Sequence, residues 1–298
     1  MRFEWEKTEI KGSSGICITG CNAESERLTI PEEEDGLPVH EIGNHAFASR
    51  KTLKEVFLPE KIRMIRGFAF HNCPELECIH LYDAVTDYYD GVIRQCDGLR
   101  LIDFTCRENN FSVIRSMLAD SDRQLSFALH LPEGQEAFLT FPAFVYDFVE
   151  NTMARTIQFA IDGSGYRYRE CISDHQIDYR EYDSLFDRAV SDDRHAAAVI
   201  ALGRLMYPYL LETQGKAQYE AYLREHSGEL LPELITENRV AQIRFLTAQG
   251  LPDQNAADEA IRLASEKRRT QLCGILMEYQ RKNSGRGSQP DTFSLGDL

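Results

Sequence analysis

Apolar residues recur along the first third of the chain with a spacing of 23. Leu53, Val56 and Leu58 return as Leu76, Ile79 and Leu81, and again as Leu99, Ile102 and Phe104. Ala46-Phe47, preceded by Ile42, returns as Ala69-Phe70 preceded by Ile65, and the third copy keeps Tyr88 and Ile93. Within each copy a segment such as Val56-Phe57-Leu58 alternates inward and outward as a strand does. A fixed period in the twenties with one strand per period marks a stacked solenoid. A single unit cannot bury its apolar side chains; stacked neighbours can. Pro59 lacks an N–H donor and ends its strand.

The first unit is a cap variant. Leu28, Ile30 and Pro31 stand 28 residues before Val56, Leu58 and Pro59, and the extra five fall in Glu32–Gly36. Ile16 and Ile18 read as a capping strand paired with Phe3–Trp5, because an open sheet edge invites aggregation. In every strand the residues between the inward ones face out. Stacked about 4.8 Å apart they form rows. One row is Thr29, Phe57, His80, Asp103; the other is Arg27, Glu55, Cys78, Leu101. An aromatic beside a histidine beside an acid is a candidate binding patch. The protein-binding set is therefore Thr29, Phe57, His80, Asp103, Glu55 and Leu101. The competing reading is an ordinary mixed sheet face. His80 and Asp103 are also two parts of a hydrolytic triad, but Thr29, two strands away, is the one nucleophile in their row.

Here the residues resemble a known family. Ile42-Gly43, Ala46-Phe47, Ile65, Gly67, Ala69-Phe70, Cys73 and Leu76 fit the BspA-type leucine-rich repeat over roughly residues 10–106. Arg50 departs from its usual Cys, and Asp90-Gly91-Val92-Ile93 departs from its Gly-x-x-Ala-Phe. The resemblance implies a leucine-rich β-solenoid that acts in adhesion or protein binding.

After Cys106 the register is lost. Residues 107–120 read as a short helix. Leu125–Leu131 and Ala137–Phe141 flank Pro132-Glu133-Gly134-Gln135 as a hairpin. Pro142 is expected to open a helix running to Ile161, with Phe144, Phe148 and Met153 on one side. Residues 163–169 read as a loop. From Tyr179 the pattern is helical: 183–190, 192–211 capped by Asp192 or Asp193 and stopped near Pro208, 218–226, 230–238, 239–250, 257–269 and 271–283. Ala260, Leu263 and Ala264, then Leu272, Ile275 and Leu276, resemble an ankyrin-type helix pair, although the family's Thr-Pro-Leu-His turn is missing. Residues 284–298 are polar and rich in Gly and Ser, as a flexible tail is.

The expected fold class is α+β: a short leucine-rich-repeat β-solenoid, then a mixed hairpin-plus-helices domain, then a C-terminal helical, ankyrin-like segment. The boundaries are 1–106, 107–230, 231–283 and 284–298. The net charge of −15 is spread along the chain, which disfavours nucleic acid and an anionic membrane as partners. The charged first ten residues lack the apolar core of a signal peptide, and no apolar run reaches the length of a bilayer span. The expected location is cytoplasmic. Eight cysteines in 298 residues do not make a disulfide framework. Cys73 and Cys96 are repeat positions, and Cys17 and Cys21 have no matching pair, so no metal or cofactor is expected.

Asp162-Gly163-Ser164-Gly165 is not the nucleophile elbow Gly-x-Ser-x-Gly. The run Tyr166-Arg167-Tyr168-Arg169 with Arg180 is favoured as an intramolecular contact over a phosphate site. The leading function is a non-catalytic protein–protein interaction scaffold. The alternative is an unrecognised enzyme or small-ligand sensor in 107–230, to be marked by a pocket lined by Tyr166, Arg167, Tyr179 and His195. A third reading is homo-oligomer assembly through an uncovered solenoid edge.

Overall fold

The computed structural model describes residues 2–10, 12–151 and 156–284. Its contacts divide the chain into Met1–Glu212 and Thr213–Leu298. The first unit starts with an antiparallel hairpin, β1 (Phe3–Ile10) and β2 (Ser13–Cys21), in which Trp5 pairs with Ile18. The coils follow as β3 (Arg27–Thr29), β4 (Glu33–Glu34), β5 (Leu37–Ile42), β6 (Glu55–Phe57), β7 (Met64–Ile65), β8 (Cys78–Tyr82), β9 (Asp87–Tyr88) and β10 (Leu101–Thr105). One sheet runs β1-β2-β5-β7-β9, with β4 paired to β5, and the other contains β10-β8-β6-β3. Each coil therefore crosses between two sheets and returns beside itself.

The 23-residue sets lie where the alternation places them. Leu53, Leu76, Leu99, Val56, Ile79, Ile102, Leu58, Leu81 and Phe104 are all 6% exposed or less. Each such side chain stabilises the fold by about 1.5–3 kcal/mol through loss of apolar surface to water. On the opposite wall Phe47 stacks on Phe70 with centroids 5.6 Å apart. The turn between the walls repeats too. His45, Phe68 and Gly91 have φ of 54°, 58° and 73°, and Ser49, Asn72 and Gln95 have φ of 62°, 58° and 62°. Only glycine takes this conformation without a Cβ penalty. At Gly91 a Cβ would also fall 2.5 Å from the Phe68 ring.

Each turn passes its N–H groups to the next coil. Phe47 N donates to Ala69 O at 2.8 Å, and Phe70 N to Val92 O at 3.0 Å. The third coil has no fourth turn to receive its donors. Asp120 replaces it. Its carboxylate accepts from Gly91 N at 3.0 Å, Ile93 N at 3.1 Å and Tyr88 Oη at 3.1 Å. Asp120 is the last residue of α1 (Ser112–Asp120), the short helix that leads out of the repeats.

The main sheet does not stop at Cys106. β11 (Leu125–His130) adds a further parallel strand beside β10, and β12 (Glu136–Phe141) returns antiparallel to β11. The expected hairpin is thus present, but it extends the solenoid sheet. Tyr182 Oη closes the outer edge, accepting from Thr140 N at 2.9 Å and donating to Thr140 O at 2.6 Å. This continuity is why the first unit runs past the boundary drawn at 106 and ends at Glu212.

The helix expected from Pro142 to Ile161 is a second hairpin, β13 (Val145–Asn151) and β14 (Thr156–Asp162), with Val145 opposite Asp162. Its many β-branched and aromatic residues suit a pleated surface better than a helix. Of the three residues assigned to that helix face, Met153 lies outside the described residues. The loop expected at 163–169 contains a short helix, α2 (Gly165–Glu170). Arg169 turns inward from it and donates to the carbonyls of Leu118, Pro142, Gly165, Ser121 and Arg123 at 2.6–3.2 Å. Burial lowers its pKa to about 10. The Tyr-Arg run is therefore an intramolecular clamp at this residue.

α3 (Tyr179–Ser184), α4 (Phe186–Asp192) and α5 (Arg194–Met206) complete the first unit. Asp193 caps α5, accepting from His195 N and Ala196 N, and the helix ends before Pro208. α5 packs on β12, where Gly203 lets Phe138 approach its backbone. The second unit is helical: α6 (Thr213–Glu225), α7 (Ser227–Thr236), α8 (Val240–Ala248), α9 (Gln254–Glu266) and α10 (Thr270–Ser284). The turns after α7 and α9 are alike. Asn238 and Arg268 are left-handed, and Arg239 N to Leu234 O and Arg269 N to Ala264 O both span 2.8 Å. The tail expected at 284–298 lies outside the described residues from 285 onward.

Asp120→Ala should destabilise the protein by about 3 kcal/mol, because it leaves buried donors without an acceptor. Burial lifts the Asp120 carboxyl above the usual range, against the donors that favour its charge. An amide keeps one of the two acceptor oxygens and turns an NH2 toward the other donors, so Asp120→Asn should lose less than Asp120→Ala but more than half as much. Urea unfolding of both variants checks this.

Candidate functional site

The outward rows are in register. Thr29 pairs with Phe57, Phe57 with His80, and His80 with Asp103. Arg27, Glu55, Cys78 and Leu101 align in the same way. The strand geometry that buries Val56, Ile79 and Ile102 turns these residues to the other side. Thr29 is exposed, and Phe57, Glu55, His80, Leu101 and Asp103 are half-buried.

The two rows knit into one chain of alternating basic and acidic side chains. Arg27 Nε lies 2.9 Å from Glu55 Oε2. Glu55 Oε1 lies 2.9 Å from His80 Nε2, and His80 Nδ1 lies 3.5 Å from Asp103 Oδ2. Asp103 Oδ1 is 3.1 Å from His130 Nε2, and His130 Nδ1 is 3.4 Å from Glu136 Oε1. Basic and acidic side chains thus alternate from β3 to β12. The aromatic ring sits within this chain. Phe57 stacks on the His80 imidazole with centroids 4.0 Å apart and planes 8° apart, and the Arg27 guanidinium lies 4.6 Å over its other face. A cation on each face suits the negative face of the ring.

The partners set the protonation states. Burial alone would lower His80, but hydrogen bonds with Asp103, Cys78 and Glu55 push it up to about 10. Burial alone would raise Glu55, but the His80 and Arg27 hydrogen bonds hold it below the usual carboxylate range. The His80 hydrogen bond likewise holds Asp103 low, against burial.

Of the residues singled out from sequence, Arg27, Glu55, Phe57, His80 and Asp103 come together. Thr29 stands at the exposed end of its row. Leu101 lies in the other row as an apolar neighbour and takes no part in the charge chain. His130 and Glu136 were missed, since they fall after the 23-residue spacing is lost; alternation along Leu125–Leu131 was the available signal. Cys78 was placed in its row, but its Sγ lies 3.5 Å from His80 Nε2, closer than Thr29's position in the row would have put a nucleophile. Thiol, imidazole and carboxylate are then in sequence. They lie on the outward face of an open sheet. The four residues expected to line a pocket in the middle region differ in exposure. Tyr166 and His195 are exposed and Tyr179 is buried. Arg167 lines a cleft with Gly163, Ser164, Asp187, Arg188, Ser191 and Asp192.

Residues 19–125 match the family described as BspA type Leucine rich repeat region, in 6 copies. The match continues past Cys106, where the sequence reading stopped, and takes in the connection to β11. No curated protein matches the chain. Among solved structures it is similar to a leucine rich cell surface protein from Faecalibacterium prausnitzii A2-165, with 24% identity over 34% of this chain and 31% of that one, TM-score 0.29. It is also similar to a leucine-rich repeat protein from Bacteroides ovatus ATCC 8483, with 22% identity over 36% and 31%, TM-score 0.28. A T. pallidum leucine-rich repeat protein shows 21% identity over 33% of this chain and 68% of that one, TM-score 0.24. The chain spans about a third of the length of the first two. Among the described residues no helix is long and apolar enough to cross a membrane.

The charge chain should give stability a plateau bounded on both sides. The His80 contribution is present in full below its ordinary value of 6.5 and is lost as pH rises through about 10. The contributions of Glu55 and Asp103 are present above their ordinary values and are lost as pH falls through their lowered ones. In chelator-containing buffer, His80→Gln should flatten the alkaline limb of a plot of urea midpoint against pH. An unchanged alkaline limb would show that His80 is not held by these partners.

Proposed function

We propose that this chain, with its BspA-type leucine-rich-repeat region at residues 19–125, is a non-catalytic protein-binding scaffold that docks its partner on the outward face of the main sheet. The observation that carries this is the in-register row of Phe57, His80 and Asp103, with Arg27 reaching over Phe57 from the neighbouring row. It offers a flat aromatic anchor between two cations, rimmed by carboxylates, on a face that reaches solvent. Aromatic and arginine side chains dominate the energetics of protein interfaces. Thr29, Glu55 and Leu101 complete the patch as its rim. The complementary surface would carry both an acidic group for Arg27 and a basic one for Glu55 and Asp103, and a net charge of −15 disfavours nucleic acid.

The second unit supports a second, subordinate surface. The matching turns at Asn238 and Arg268, 30 residues apart, fit the ankyrin-type reading of its helix pairs. The eight free cysteines, five of them buried, fit a reducing compartment and hence a cytoplasmic location.

Affinity capture from the native cell, followed by direct binding with the purified candidate, tests the patch. The partner should be retained by wild type and by the control Lys51→Ala, on the turn side of the coil. It should lose at least tenfold in affinity with Phe57→Ala/His80→Ala, while the folded fraction at the assay temperature is unchanged. A folded double variant that binds as tightly as wild type removes this face from the function.

A further inference from the structure

The outward patch contains three side chains whose donor atoms converge on one point. Glu55 Oε1, Cys78 Sγ and His80 Nε2 lie within 4.8 Å of one another, and all three residues are half-buried. His80 Nε2 is 2.9 Å from the carboxylate oxygen and 3.5 Å from the sulfur. They come from two adjacent strands, Glu55 from β6 and Cys78 and His80 from β8. The strand ladder fixes their backbones, so little reorganisation is needed to bring the donors onto a common ion.

A second observation is independent of that triangle. The other imidazole nitrogen of His80 points to Asp103 at 3.5 Å. Metal-binding histidines almost always have a carboxylate or carbonyl at the nitrogen away from the ion, where it fixes the tautomer and raises the ring's basicity. Asp103 is held in turn by His130 at 3.1 Å, and His130 by Glu136 at 3.4 Å. The remaining oxygen of Glu55, Oε2, is taken by Arg27, which leaves Oε1 as its one inward-turned donor.

We propose that Glu55, Cys78 and His80 form a zinc-class site, with Asp103 as the positioning carboxylate behind His80. One sulfur, one nitrogen and one oxygen donor favour zinc over magnesium or calcium, which prefer all-oxygen shells. Binding releases the Cys78 thiol proton and the proton shared between His80 and Glu55; the ion takes their place, and no redox change is involved. Three protein ligands leave the fourth tetrahedral position facing solvent on the open sheet, where water or an incoming side chain completes the shell. The site does not depend on the protein-docking reading, because it is tested on the purified chain alone.

Cobalt(II) is the probe, since it reports thiolate ligation by its charge-transfer band and tetrahedral geometry by its visible bands. The purified, reduced, full-length protein titrated with Co²⁺ should show both, with one equivalent at saturation. Zn²⁺ should then bleach them and raise the melting temperature. Cys78→Ser should abolish the charge-transfer band and His80→Gln the tetrahedral bands, each variant keeping the wild-type far-ultraviolet circular dichroism. Asp103→Asn should keep both bands and weaken affinity by about 10–100-fold, as loss of an outer partner does. No thiolate band in wild type, or an equal band in folded Cys78→Ser, overturns the site. If partner capture fails while these bands appear, the docking proposal alone falls.

Discussion

Parallel strands held in strict register are the constraint from which the rest of this protein follows. Because Val56 lies against Ile79 and Ile79 against Ile102, the same ladder that buries one set of side chains aligns the set between them. A slip of one residue in any strand would exchange core and surface. The interior and the outward patch are thus two results of a single pairing, and neither can drift without the other.

A stack of this kind leaves donors and acceptors unspent at its ends, and the chain resolves each end differently. The β1–β2 hairpin covers the start of one sheet. Asp120 supplies two carboxylate oxygens where a further turn would have offered two carbonyls. At the end of the main sheet, β12 reverses direction and Tyr182 occupies the edge of Thr140 with one hydroxyl that both accepts and donates. Buried backbone groups are costly when unpaired, so these few side chains are as necessary to the solenoid as its leucines.

How far the sequence revealed this depended on whether a residue's environment repeats. Leu53, Val56 and Phe57 have equivalents 23 and 46 residues on, so their burial, their register and the Phe57–His80–Asp103 row could all be read before any coordinates. His130 and Glu136 stand one outward position further along, opposite Thr105 and each other, and α1 replaces a turn between β10 and β11 and breaks the count. The segment after Pro142 fails for another cause. Phe144 and Phe148 stand four apart, as on a helix, but their aromatic and β-branched neighbours pair as a hairpin, and periodicity over a short apolar run does not separate the two. Arg169 is a third case: five carbonyls from three segments converge on it, and four of them are distant in sequence.

The reversal at β12 has a bearing on how such a molecule can change length. A coil appended after the last one would meet a strand running the wrong way and an edge already satisfied by a tyrosine. Growth or contraction of the array must therefore occur by duplication or loss between existing coils, where both neighbours offer the same parallel template. Each such event would move the arginine-aromatic end and the histidine-acid end of the patch apart or together by one strand spacing, so the breadth of the recognition surface is set in discrete steps of about 4.8 Å.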